Sequence, residues 1–272
     1  MKRLEQVTEL AKINCKKLLI PYLVAGDPNL VTSLALMHAL VEAGADVLEL
    51  GIPFSDPSSD GPVIQRGAER SLAQGTTLGD VLALTSSFRE TNTATPVVLM
   101  GYLNPIEIMG YEEFAQRAAS AGVDGVLIVD MPPAEASELA PLLHQVNLDM
   151  IFLVSPTTPV QRAETIAGHS SGYLYYVSLK GVTGAALTDY KSVEKNIQQL
   201  RELTELPVVI GFGIRDETSA RAMADLADGV VIGSALVAKI ADLPDQDEQS
   251  AEALQQTVEF IAQVRYIINN IN

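Results

Sequence analysis

Glu49 is the residue whose setting most calls for chemistry. It stands inside the apolar run Val47-Leu48-Glu49-Leu50-Gly51, where the two-residue period of a strand puts Val47, Glu49 and Gly51 on one side. In a strand buried on both faces a carboxylate loses its hydration and its pKa rises. That suits a general acid or base working near neutral pH. Gly51 leaves room above it. The other use of such a residue is a structural ion pair with an inward Lys or Arg. The loop that follows, Ile52 to Pro62, carries Asp56 and Asp60 and is stiffened by Pro53, Pro57 and Pro62. Asp60 would share a rim with Glu49, and two carboxylates in different settings can divide their pKa values and their roles. Asp60 could instead cap a helix opening at Pro62-Val63-Ile64, and Asp56 reads first as a turn residue.

Glycine turns follow the last three apolar runs: Gly181-Val182-Thr183-Gly184, Gly211-Phe212-Gly213, and Gly233-Ser234-Ala235, which opens a helix. Bare backbone N–H groups and a helix N-terminus can hold an anion such as phosphate, even in an acidic protein. Tight turns and helix stops are the plainer use of the same glycines. Lys180 ends the sixth run, where the Schiff-base lysine of a class I aldolase would sit. A solvated rim lysine is the favoured reading, because nothing nearby lowers its pKa. His38, His144 and His169 fall on or just after helical stretches, and Cys15 is the one cysteine, so no zinc site is supported. The run Gly211 to Asp216 begins like a dinucleotide fingerprint, but Asp216 occupies the third glycine position. No P-loop is present. Acid–base chemistry without a cofactor is what survives.

Such side chains need a frame that converges them. Eight apolar, often β-branched runs recur: Leu18–Ala25, Val47–Ile52, Pro96–Tyr102, Gly125–Val129, Met150–Val154, Tyr173–Leu179, Val208–Phe212 and Gly229–Ile232. Most are continuous rather than alternating, as in parallel strands covered on both faces. Helical patterns lie between them, at Leu30–Ala43, Glu112–Ala121, Ala134–Val146, Lys191–Leu203 and Asp216–Leu226, and Gly44 and Gly122 stop two of these. The pattern predicts an α/β fold, a single (β/α)8 TIM barrel with additional helices. An open doubly wound sheet is the alternative, but the barrel uses all eight strands in one domain. That domain spans residues 1–272, with an acidic linker at 242–250 before a last helix near Ala251–Ile268. Two long connections, Pro53–Pro62 and Lys180–Tyr190, leave the carboxyl ends of strands, where barrel active sites sit.

Composition narrows the function classes. The 18 Lys+Arg against 34 Asp+Glu leave a formal charge of −16. An acidic surface cannot displace the counterions of nucleic acid or dock on anionic lipid, so neither partner is expected. The chain has no apolar run of membrane-spanning length and no signal-peptide core, and one cysteine permits no internal disulfide. A cytoplasmic protein is expected.

Taken together these motifs resemble the tryptophan synthase alpha subunit family over about residues 10 to 240. The most specific stretch is Leu48-Glu49-Leu50-Gly51-Ile52-Pro53-Phe54-Ser55-Asp56-Pro57 followed by Asp60-Gly61-Pro62-Val63-Ile64-Gln65. The Gly181-Val182-Thr183-Gly184, Gly211-Phe212-Gly213-Ile214 and Gly233-Ser234-Ala235 turns add to it. So do the opening Pro21-Tyr22-Leu23-Val24-Ala25-Gly26-Asp27-Pro28 and the later Val129-Asp130-Met131-Pro132-Pro133. The resemblance implies a lyase that cleaves indole-3-glycerol phosphate to indole and glyceraldehyde 3-phosphate by a retro-aldol step. It implies Glu49 as principal acid–base residue and Asp60 as the group that balances positive charge at the indole nitrogen. Tyr175 would line the pocket, Thr183 would order around Asp60, and Gly184, Gly213, Gly233 and Ser234 would cradle the phosphate. Tyr22, Met100, Leu127 and Ile232 would form the apolar indole pocket. The family works with a beta subunit, as two alpha and two beta chains. Pro53, Asp56, Asn104 and Pro132 lie on loops used at that interface. Pyridoxal phosphate belongs to the beta subunit, and no cofactor is expected in this chain. Two positions depart from the common pattern: Ser59 stands where alanine is usual, and Leu179-Lys180 where Arg-Ala is usual. Neither removes a catalytic group. A class I aldolase acting through Lys180, and a non-catalytic subunit that only activates its partner, are the competing functions.

Overall fold

The structure is a computed structural model that describes residues 1–177, 190–211, 214, 216–243 and 251–271. In chain order the strands are β1 (Leu18–Val24), β2 (Leu48–Gly51), β3 (Val97–Gly101), β4 (Gly125–Ile128), β5 (Asp149–Ile151), β6 (Leu153–Val154), β7 (Leu174–Val177), β8 (Val208–Gly211) and β9 (Gly229–Ile232). All pair in parallel, in the order β5-β4-β3-β2-β1-β9-β8-β7-β6. The two ends of that order, β5 and β6, are halves of the expected fifth strand, divided at Phe152. The first half bonds to β4 and the second to β7. That division is the stagger a closed barrel requires: one strand meets its two neighbours at different heights. The fold is therefore the TIM barrel expected.

The helices are α1 (Arg3–Ile13), α2 (Leu30–Glu42), α3 (Pro62–Ala73), α4 (Leu78–Arg89), α5 (Leu103–Met109), α6 (Tyr111–Ala121), α7 (Leu139–Gln145), α8 (Val160–His169), α9 (Tyr190–Leu203), α10 (Glu217–Leu226), α11 (Ser234–Ala241) and α12 (Ala251–Asn269). Their apolar stripes pack on the outer face of the sheet, where Leu19, Leu50, Leu99, Ile210 and Ile232 join one large core. The inward residues form a second core, with Ile20, Tyr22, Val98, Leu127, Tyr175 and Val231. Continuous apolar strands are thus explained: each alternate residue meets a different core.

Three local outcomes have clear causes. Gly122 ends α6 in the left-handed conformation, φ 83°, which a side chain would strain. The helix expected over Ala134–Val146 forms only from Leu139. Pro141 lacks the N–H that would bond back to Ser137, and its ring would crowd that carbonyl, so it is tolerated only in the first turn. The charged N-terminal segment, for which no element was expected, forms α1. Leu4 and Ala11 on this helix join the inner core, so it plugs the amino end of the barrel. Arg3 pairs with buried Asp124 at 2.8 Å, and Lys2 with Asp149 at 2.8 Å. From residue 244 on, the acidic linker lies outside the described residues, as does the 178–189 part of the long connection after β7.

Candidate active site

Strand register brings the chemistry together at the carboxyl end of the barrel. Glu49 on β2 lies beside Tyr22 on β1 and Val98 on β3. Its side chain is wholly buried. Tyr173, just before β7, donates its Oη–H to Glu49 Oε1 at 2.5 Å, while Oε2 has no hydrogen-bond partner among the described residues. The partner is a phenol, not the Lys or Arg of a structural ion pair. Burial pushes the Glu49 carboxyl up to about 7, against the smaller lowering effect of the Tyr173 hydrogen bond.

Asp60 sits at the end of the loop after β2, one residue before Gly61, which is the N-cap of α3 and makes no side-chain capping bond. Asp60 is therefore not spent on the helix. Gln65, one turn into α3, donates its Nε2–H to the Asp60 carbonyl at 2.8 Å. Tyr102, following β3, accepts the Ser59 N–H at 3.0 Å and bonds to the Asp60 carboxylate. Burial raises the Asp60 carboxyl to about 6, opposed by the Tyr102 hydroxyl. Burial first, then the negative charges of Asp60 and Glu49, push the Tyr22 phenol well above its usual value. Tyr175 is raised in the same way, by burial and then by Glu49, with Asp60 contributing. Both phenols thus feel both carboxylates, so the two acids stand around the same pair of neutral phenols. At neutral pH Glu49 is poised between its two forms and Asp60 is mostly ionised.

Two glycines make this crowding possible. A side chain on Gly51 would collide with the Tyr22 hydroxyl, and one on Gly211 with the Tyr175 hydroxyl. The space expected above Glu49 at Gly51 is therefore filled by the Tyr22 ring. Gly233 is the N-cap of α11 and Ser234 its first residue. The nearest atoms a Cβ at Gly233 would meet among the described residues are in the Tyr22 and Ile64 side chains, at 3.6 to 3.9 Å, ordinary contact distances. The N-terminus of α11 accordingly opens on the same mouth.

Of the expected indole-pocket residues, Tyr22 and Leu127 belong to the inner core and Met100 packs against it. Ile232 does not: it lies in the outer core, and Val231 holds the inward position. Alternation along β9 allows only one of the two to face the cavity. Thr183, Gly184, Gly213 and Lys180 lie outside the described residues. Pro53 and Asn104 line one outer groove of about 540 Å³ with Phe54 and Ile108, and Ile108 is 80% exposed. Asp56 lines a neighbouring groove and accepts the Ser55 hydroxyl at 2.6 Å, a local turn contact. Pro132 lines neither groove. Tyr173 and Tyr102 are contributors the motif reading passed over. The signal was present, since Tyr173 stands two residues before Tyr175, and Tyr102 two after Met100, each on the inward phase of its strand. His38, His144 and His169 lie on α2, α7 and α8, and no group of metal-ligating side chains occurs among the described residues.

Known proteins resemble this chain along nearly all of its length. The sequence model of the family "Tryptophan synthase alpha chain" matches residues 9–265. A tryptophan synthase alpha chain from Marinobacter nauticus is 56% identical over 89% of this chain and 89% of its own. One from Methylococcus capsulatus is 51% identical over 97% of this chain and 98% of its own. The crystal structure of tryptophan synthase subunit alpha from Legionella pneumophila superposes with a TM-score of 0.91. It is 44% identical and covers 100% of both chains.

Proposed function

The chain belongs to the tryptophan synthase alpha chain family, and from that premise we propose that Glu49 and Asp60 carry its reaction. The reaction is the lyase cleavage of indole-3-glycerol phosphate to indole and glyceraldehyde 3-phosphate. Breaking the bond between the indole ring and its side chain requires a better leaving group than neutral indole. Protonated Glu49 delivers its proton to the ring carbon that bears the side chain. The ring becomes a cation with charge on its nitrogen, and the Asp60 carboxylate balances that charge. Glu49, now ionised, takes the proton of the adjacent side-chain hydroxyl as the carbon–carbon bond breaks. The electron pair returns to the ring, indole leaves, and an aldehyde remains. The proton count closes on Glu49 alone, so one residue with a pKa near neutrality serves both steps. Tyr173 holds one carboxyl oxygen and leaves the other free for transfer. Tyr22, Met100, Leu127 and Tyr175 form the apolar wall for the ring, with Val231 in place of Ile232. Gly233 and Ser234 present the α11 N-terminus to the phosphate.

The observation that carries this reading is the buried Glu49, bonded to a phenol and to no cation among the described residues, facing the same phenols as Asp60. Its test is indole release from indole-3-glycerol phosphate by the wild type and by Glu49→Gln. Indole from the first and not from the second supports the assignment, and equal release by both refutes it.

The partner belongs to the same proposal: a beta subunit carrying pyridoxal phosphate, in an assembly of two alpha and two beta chains, receives the indole. The groove beside Pro53, Asn104 and exposed Ile108 supports a protein contact there. Asp56, in the neighbouring groove, and Pro132, which lines neither groove, are assigned to the same contact by the family resemblance alone. The free, exposed thiol of Cys15 is compatible with a cytoplasmic location.

A further inference from the structure

Asp27 is a charged residue with no role in the chemistry above, yet its side chain is completely buried. Both of its oxygens are taken by Arg70 on α3, Oδ1 by Nε–H and Oδ2 by Nη2–H, each at 2.7 Å. The neighbouring residues of the same loop are tied to the same helix. Ser71 donates its hydroxyl to the Ala25 carbonyl at 2.5 Å, and Gly26 lies against the Thr76 and Ser71 side chains. Three consecutive residues at the carboxyl end of β1 therefore grip α3 near its far end. The near end of α3 leads directly from Asp60.

Between the two ends α3 crosses its neighbours at Gly67. A Cβ there would meet Asp27 and Val237 at 3.0 Å and Val24 at 3.2 Å. Val237 belongs to α11, whose N-terminus opens on the site, and Val24 to β1. At Gly67, therefore, α3 lies tight against β1, the Asp27 carboxylate and α11. Arg70 lies three residues beyond it, about 4.5 Å along the axis, and Pro62, where α3 begins just after Asp60, five residues before it, about 7.5 Å. A tilt of α3 released at Arg70 would be carried along the helix to the Asp60 end. Misplacement of a catalytic group by 1 Å costs on the order of 100-fold in rate.

We propose that the Asp27–Arg70 pair is a positioning device: it sets the angle of α3 and with it the distance from the Asp60 carboxylate to the phosphate-binding end of α11. The inference rests on the reading of Asp60 and the α11 N-terminus given above. Its signature is separable from simple destabilisation. The pair does not shape the ring pocket or the phosphate cradle individually; it fixes their spacing. Arg70→Lys keeps the charge but loses the two-pronged grip.

The test measures indole release by the full-length chain, with binding of indole alone and of glycerol 3-phosphate alone. For Arg70→Lys, kcat is expected to fall 10- to 100-fold while the affinity for each fragment stays within about twofold of wild type. Asp27→Asn, which keeps an acceptor for the guanidinium, is expected to lose less than Arg70→Lys. Unchanged kcat in Arg70→Lys overturns the proposal. So does a parallel loss of both fragment affinities, or failure of both variants to fold, since the pair would then be a folding element only. Asp60→Asn in the same assay separates the premise: full activity there removes the reading of Asp60, whatever Arg70→Lys does.

Discussion

Glu49→Gln should make the protein inactive and, above neutral pH, more stable. In the folded chain burial lifts the Glu49 carboxyl from an ordinary 4.5 to about 7. Below pH 4.5 both folded and unfolded chains hold the proton, and the residue costs nothing through ionisation. As pH rises from 4.5 to 7 the unfolded chain ionises readily while the folded chain resists, so stability is lost across that window. Above pH 7 the loss is complete. A difference of about 2.5 pKa units corresponds to roughly 3.5 kcal/mol at about 1.4 kcal/mol per unit. At pH 5 less than about 1 kcal/mol of that has accrued. Glutamine does not titrate, and the remaining ionisable groups cancel when the two proteins are compared at each pH. The stability advantage of Glu49→Gln over wild type should therefore grow by about 2.5 kcal/mol between pH 5 and pH 8. Urea unfolding of both proteins at the two pH values measures it. Activity should fall by about 10²–10⁴-fold at the same time. A pH-independent difference in stability would show that Glu49 titrates normally in the folded chain. Burial would then not be what fits Glu49 for acid–base work, even if the mutant were inactive.

Tyr173→Phe removes the hydrogen bond that favours ionised Glu49. The alkaline limb of the kcat/KM profile should move to higher pH, because Glu49 then keeps its proton longer; a profile that does not move counts against Tyr173 as the tuning group. Gly51→Ala forces the buried Tyr22 phenol out of its place. It should lower kcat/KM by about 10- to 100-fold with little change in far-UV circular dichroism, and wild-type kinetics would contradict the close approach. Val231→Ala should raise KM for indole-3-glycerol phosphate, whereas Ile232→Val should leave it within about twofold. The reverse pattern would mean that Ile232, not Val231, faces the ring.

Much of this site is legible in the order of residues. Glu49 inside an apolar strand announces a buried carboxylate, because desolvation depends on immediate neighbours and those neighbours are adjacent in sequence. The eight apolar runs announce the barrel, because strands covered on both faces cannot alternate with polar residues. Even the shortened α7 has a local cause in Pro141. Ile232 shows where such reading stops. A one-residue slip leaves an apolar residue apolar but turns it from one core to the other, and only pairing with β1 settles the phase.

Other properties came from convergence alone. Tyr173 and Glu49 are separated by 124 positions, yet they share a proton's reach. Tyr102 meets the Asp60 loop from a different strand, and its bond to Asp60 opposes a burial that no neighbour in sequence imposes. Local sequence carries strand phase, turns and the identity of candidate acids, because these depend on a few consecutive side chains. The closed ring of strands supplied what they could not: which residues meet at its mouth, which of two neighbouring residues faces inward, and how far each carboxyl is pushed from its ordinary pKa. Those quantities depend on distances and solvent exclusion between segments far apart in the chain.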